Sequence, residues 1–254
     1  MLRKHIPEIA DAPYVGHQGN TGEGIVWGLE IGARLRDMGA YQGHASVSHP
    51  QGALMTWSAI ERGGFLVNLD AQRFVDESLG YSGCTSAVRS QSEHFAFVVF
   101  DERIHQYLEP KSQDYQDIVA YGGARHDEDI AALGAACGLD GSSLADTMTQ
   151  YNAAARDGVD PFGRSDFGGA PLAPPFRMVK VTAGLFHTQG GLDVDVNAQP
   201  LRNDGTPLEN LYAVGGTAVG VSGSDGNRGY CSANGLLAAL GLGRIAGRHA
   251  GRNL

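Results

Sequence analysis

The chain has 254 residues, 42% of them apolar, with a formal net charge of −9 and 37 glycines. That length suits one large domain or two intimate ones, and the apolar content is ample for a packed core, which excludes a disordered chain. The acidic balance argues against a nucleic-acid backbone or an anionic membrane surface as partner.

No apolar run approaches the roughly 18 residues of a membrane span, and the N-terminal stretch lacks the apolar core of a signal peptide. Cys84, Cys137 and Cys231 are widely separated with no CxxC spacing. Reduced thiols and a cytoplasmic location are the simplest reading.

In chain order, "NTGEGIVWGLEIGARLRDM" predicts a helix from about Gly22 to Met38, with Asn20 or Thr21 as N-cap and a glycine-rich start. "ALMTWSAIERGG" reads as a short helix stopped by Gly63, and "GFLVNLDAQRF" as a hairpin joining Phe65–Asn68 to Arg73–Phe74. The run Phe95 to Phe100 does not alternate, so it predicts a strand buried on both faces, with a helix starting at Asp101.

Two helices follow between Asp127 and Ala155, the second capped by Ser142 or Ser143. "VDPFGRSDFGGAPLAPPF" is a Pro/Gly loop of the kind that passes between domains. The alternating stretch from Arg177 onward predicts several strands, ending at "NLYAVGG". A final apolar helix begins near Ser232 and Asn234, where its first N–H groups are free to face a ligand.

Glycine is dense beside these apolar segments, as expected where backbone packs against a bound molecule. "GLGRIAG" is GxGxxxG after a helix, not a strand–GxGxxG–helix phosphate loop. No HExxH or CxxC spacing supports a metal site, and Ser222 and Ser224 lack the context of a hydrolase nucleophile. His44, His49, His105 and His187 lie near glycines or element ends, where a functional group can be exposed.

Taken as an ordered set, "NTGEGIVWGLEIGARLRDM", "QGH", "GGFLVNLDAQRFVDE", "FVVFDERI", "HTQGGLDVD", "NLYAVGG" and "SANGLLAALGLGRIAG" resemble the flavoprotein subunits of the fumarate reductase and succinate dehydrogenase superfamily. Soluble members include flavocytochrome fumarate reductases, tricarballylate dehydrogenase and 3-ketosteroid dehydrogenases. The resemblance runs from about Asn20 to Gly247.

It implies an α/β fold with an α+β cap: a partial FAD-binding domain formed by both chain ends (1–48 and 182–254), with an inserted cap domain at 49–181. It also implies FAD as cofactor, a small-molecule substrate, and a mobile cap over the flavin. The family's dinucleotide loop precedes the residues matched here. An upstream segment or another polypeptide would then supply that unit.

By the same resemblance, Gly215, Gly216, Asn234, Gly235 and Leu236 are expected to contact FAD. His44, His187 and Arg228 are expected to hold a carboxylate or polarise a carbonyl, and His105 stands where the family carries its acid. Thr56 is kept, but Trp57 replaces a glutamate. Fumarate itself is therefore disfavoured relative to a larger or less charged enoate or enone. Two alternatives stay open: a ketosteroid-type dehydrogenase in which Tyr230 takes the proton, and a non-catalytic chain that keeps the cap without holding FAD alone.

Overall fold

The computed structural model describes residues 1–252. The chain divides into two compact units, one built from residues 1–43 with those from 185 onward, the other from residues 44–184. The divisions fall inside two strands and not in loops.

The first unit begins with α1 (Leu2–His5), α2 (Glu23–Glu30) and β1 (Leu35–Arg36), and then enters β2 (Tyr41–Ser48), which carries the chain into the second unit. There follow α3 (Ser58–Glu61), β3 (Phe65–Val67), α4 (Gly80–Gly83), α5 (Thr85–Arg89), β4 (Phe95–Asp101), α6 (Glu102–Leu108), α7 (Gln113–Ala120), β5 (Ala124–Asp127), α8 (Ile130–Ala136) and α9 (Gly141–Asp157). β6 (Phe176–Thr188) returns the chain to the first unit, which ends with β7 (Gly191–Leu192) and α10 (Asn234–Ala250).

The frame of the second unit is β6. β4 pairs antiparallel with it from Phe95↔Thr182 to Asp101↔Phe176, and β3 adds to the far side of β4 through Phe65↔Val99. The other edge of β6 is shared by β5 and β2. Ala96 to Phe100 of β4 are all buried, as the unbroken apolar run requires of a central strand. Helices α6 to α9 bring Ile104, Leu108, Tyr115, Ile118, Leu144 and Tyr151 into the same core.

Several expectations are corrected by packing. The first helix ends at Glu30, because Gly32 turns the chain at positive φ and Leu35 pairs with Leu192 of β7. Its N-cap is Gly22 in the left-handed region, not Asn20 or Thr21. There the side chain gives way to a backbone conformation that glycine adopts without strain.

The expected hairpin from Phe65 to Phe74 does not form. Asn68 closes a tight turn by accepting from the amides of Asp70 and Gln72, and Arg73 then leaves the sheet for a buried ionic cluster. Asp140, not Ser142 or Ser143, caps α9 by accepting from the Ser143 amide. The several strands expected after Arg177 are mostly one strand of 13 residues, followed by isolated bridges. The Pro/Gly loop after α9 folds back into its own unit, with Arg164 only 3% exposed.

The junction of β4 and α6 rests on Asp101, which is buried and accepts from the Ile104 amide at 3.1 Å. Asp101→Ala removes that N-cap and lowers unfolding free energy by about 1 kcal/mol. Urea titration is the check, with Asp101→Asn expected to keep most of the loss back.

Candidate functional site

In the second unit, β2 presents His44 among aromatic rings. Tyr81 of α4 stacks on it with centroids 4.8 Å apart and planes at 14°, and Trp57, just before α3, meets it edge-on at 6.1 Å. The Ser46 amide donates to His44 Nδ1 at 3.2 Å, which puts the proton of the neutral ring on Nε2. Ser46 Oγ in turn donates to the Met55 carbonyl, so the strand and the segment carrying Thr56 and Trp57 are tied side by side.

His44 is 5% exposed, and burial pulls its pKa down to about 3. The ring is therefore uncharged near neutrality. Thr56 lies on the same segment as Trp57, with its hydroxyl accepting from the Ser58 amide at 3.4 Å.

His105 has a different occupation. It is 7% exposed on α6, with Nδ1 bonded to the Tyr115 hydroxyl of α7 at 2.9 Å and Nε2 3.5 Å from Glu109. Burial and the nearby Arg177 lower its pKa. The expected acid is thus engaged in packing α6 onto α7.

In the first unit, a cleft of about 760 Å³ is lined by the loop from Gln18 to Gly24, by His187, Thr188 and Gly190, and by Gly216 and Thr217. Gly215 takes a left-handed conformation, and a Cβ on Gly216 would meet no atom within 4 Å, so the backbone there opens onto free space. His187 stands at one wall, its ring edge-on to Tyr230 at 6.2 Å. A Cβ built on Gly235 would lie 3.8 Å from His187 Nε2, so the start of α10 abuts this wall.

Asn234 and Gln189 hold the glycine turn beside it. The buried Asn234 side chain accepts from the Val221 amide at 2.8 Å and donates to Gln189 Oε1. Both the oxygen and the nitrogen of its carboxamide thus have a partner inside the protein. Gly235 and Leu236 follow in the first turn of α10, where N–H groups have no helical acceptor. Leu236 is 67% exposed, and Arg228 lies exposed in the turn before the helix, outside the cleft lining.

Residues 1–233 match the FAD binding domain family. The chain belongs to it. Among its relatives is a probable fumarate reductase of Shewanella frigidimarina (strain NCIMB 400), 28% identical over 255 residues, which cover 100% of this chain and 42% of the relative. A 3-oxosteroid 1-dehydrogenase of Mycobacterium tuberculosis (strain ATCC 25618 / H37Rv) is 30% identical over 273 residues, covering 92% of this chain and 48% of the relative.

The open conformation of a flavocytochrome c3 fumarate reductase is similar in structure, with a TM-score of 0.75 and 26% identity, covering 99% of this chain and 43% of that one. A 3-ketosteroid-delta4-(5alpha)-dehydrogenase from Rhodococcus jostii RHA1 gives a TM-score of 0.68 at 26% identity, covering 97% and 48%. The chain spans less than half the length of each of these relatives. Among the described residues, no helix is long and apolar enough to cross a membrane, and no cluster of His, Cys, Asp and Glu could hold a metal ion.

FAD is the cofactor of this family, and the first unit fits part of it. The cleft is of the size of small-molecule sites, glycines of the loop before α2, Gly190 and Gly216 stand among its lining residues, and the first-turn N–H groups of α10 have no helical acceptor. Tyr81 and Gln189 are the residues that sequence reasoning missed. Gln189 stood inside the "HTQGG" segment already singled out, whereas nothing in the spacing around Tyr81 announced its ring contact.

Gly216→Val puts a side chain into space that a flavin would need, at a position where a Cβ meets nothing in the chain within 4 Å. Its thermal midpoint without cofactor is expected to match that of the parent, and its FAD affinity, read by equilibrium dialysis at the flavin absorbance, to fall at least about tenfold.

His44 gives a second expectation. Its folded pKa near 3 lies below the ordinary 6.5, so between those values the unfolded chain binds the extra proton and stability rises with pH. Above 6.5 that contribution is constant. Unfolding free energies of the parent and His44→Gln should therefore diverge as pH rises from 4 to 6.5 and run parallel beyond it.

Proposed function

We propose that this chain is the substrate-handling and partial cofactor-binding portion of an FAD-dependent oxidoreductase that reduces or forms a C–C double bond beside an activating carbonyl or carboxylate. The observation that carries the reading is the packing of neutral His44 between Tyr81 and Trp57. Bound FAD supplies hydride exchange with one substrate carbon. The residues of this chain must then handle the proton on the neighbouring carbon and the charge that gathers on the activating oxygen.

His44 Nε2–H is the donor for that oxygen. A neutral donor in a dry setting stabilises developing negative charge without first neutralising a carboxylate in the ground state. Tyr81 carries the proton: its hydroxyl gives a proton to the carbon in reduction and takes one as phenolate in desaturation. His105 is held by Tyr115 and Glu109 and is not assigned the step.

Trp57, nearly buried against His44, supplies apolar surface, which suits an enone or a monocarboxylic enoate better than the dianion fumarate. His187, at the wall of the cleft in the first unit, is assigned to a polar group of cofactor or substrate.

A ketosteroid-type reaction is the second reading, favoured by the edge contact of Tyr230 on His187 and by the 3-oxosteroid 1-dehydrogenase relative. A substrate panel separates the two. FAD-loaded protein with reduced viologen as electron source should consume small enones faster than fumarate, while the second reading expects 3-oxosteroids to be turned over with a dye acceptor. Protein that stays colourless after incubation with FAD would instead favour the non-catalytic chain.

Tyr81→Phe keeps the ring and removes the proton. It is expected to lower turnover by roughly 10²–10⁴ with flavin content unchanged. Parent-like turnover in flavin-loaded Tyr81→Phe would exclude Tyr81 from the step.

A further inference from the structure

Between β3 and the loop after α9 lies a closed set of four charges. Glu77 has a fully buried side chain; its Oε1 accepts from the Leu66 amide at 3.1 Å and Arg73 Nε at 3.2 Å, and its Oε2 from Arg73 Nη2 at 2.6 Å. Arg73 Nη1 continues to Asp160, whose Oδ2 also accepts from the amides of Phe162 and Arg164. Arg164 closes the set at Glu77 Oε2, 3.4 Å away. Burial pulls the Arg73 pKa down, but its bonds to Glu77 and then Asp160 outweigh this and raise it. The two arginines and two carboxylates balance in charge.

The cluster reaches the two rings that flank His44 by separate routes. Glu77 opens the 3-10 turn Glu77–Leu79 that runs directly into α4, so it sits four residues before Tyr81. Arg164 donates Nη2 to the Ile60 carbonyl at 2.9 Å and Nη1 to the Gly64 carbonyl at 2.8 Å, holding the end of the helix that begins just after Trp57. A buried ion set is poor evidence for stability, since apolar replacements of equal shape often serve as well. What it supplies here is direction: the Arg164 fork holds the Ile60 and Gly64 carbonyls, and the Arg73 fork ties Glu77 to Asp160.

We propose that Arg73, Glu77, Asp160 and Arg164 are positioning residues that hold Tyr81 and Trp57 against His44, and that the Pro/Gly loop carrying Asp160 and Arg164 belongs to the substrate site for this reason. The functional part of this inference rests on the proposed role of Tyr81; the geometric part does not.

The test reads the two parts separately. A proton over the face of an aromatic ring resonates upfield, so His44 Hε1 reports the Tyr81 stack, and His49 Hε1, beside Phe95 at 4.5 Å on the same strand system, serves as the internal control. Spectra are compared for the parent, Tyr81→Leu, Glu77→Gln and the milder Arg164→Lys, which keeps the charge but loses the fork.

In Glu77→Gln, His44 Hε1 is expected to move toward its position in Tyr81→Leu, and in Arg164→Lys to shift as the Trp57 edge is displaced, while His49 stays in place in both and kcat falls about 10²-fold with KM changed far less. An unmoved His44 signal in folded Arg164→Lys or Glu77→Gln overturns the positioning role. If the signal moves but kcat does not, the cluster still positions Tyr81 and it is the proton assignment that fails.

Discussion

Charge buried away from water must find a complete set of partners, and this constraint organises the second unit. Glu77 cannot be enclosed without Arg73 and Arg164, nor Arg73 without Asp160. The carboxylates lie on segments 83 residues apart in sequence, and satisfying them draws the loop after α9 back onto the end of α3 and the start of β3. The aromatic pair around His44 is mounted on those same segments, so its geometry inherits the precision of the ionic set.

The first unit solves a different problem with different means. Here glycine backbone is used at several close approaches. Glycines stand where a Cβ would collide with Leu192, Ala218 or Met38, or, at Gly216, where it would fill open space. Asn234 and Gln189 spend their amide groups on each other and on the Val221 amide, and the Gly220 amide donates to the Gln189 carbonyl, which fixes the turn. An oxygen-rich ligand with a flat ring system suits such a surface, because donors and close approach come without side-chain bulk.

Much of the fold was legible because its signals are local. The unbroken apolar run of β4 and the Asp101 start of α6 follow from propensity and capping. What was not legible depends on contacts distant in sequence. Arg73 read as a strand residue because nothing nearby reveals Asp160, and the loop around Arg164 read as a linker because its proline and glycine content hides one buried guanidinium. His105 drew attention because it stands where the resemblance places the acid; its hydrogen bond to Tyr115 joins two helices and is not visible in the local sequence. Tyr81 was invisible for the opposite reason, since an unremarkable tyrosine on a one-turn helix acquires meaning only through the ring it covers.

Asn234 is followed by Gly235, the dipeptide in which a side-chain carbonyl is most open to attack by the next backbone nitrogen. In α10 that nitrogen is held in helical geometry and the carboxamide is bonded at both ends. Chemical ageing of the polypeptide at this bond is therefore coupled to the integrity of one helical turn. Once deamidated, the site would carry a carboxylate facing Gln189 Oε1, replacing the donor of that hydrogen bond by a second acceptor and loosening the turn that the neutral amide had kept shut.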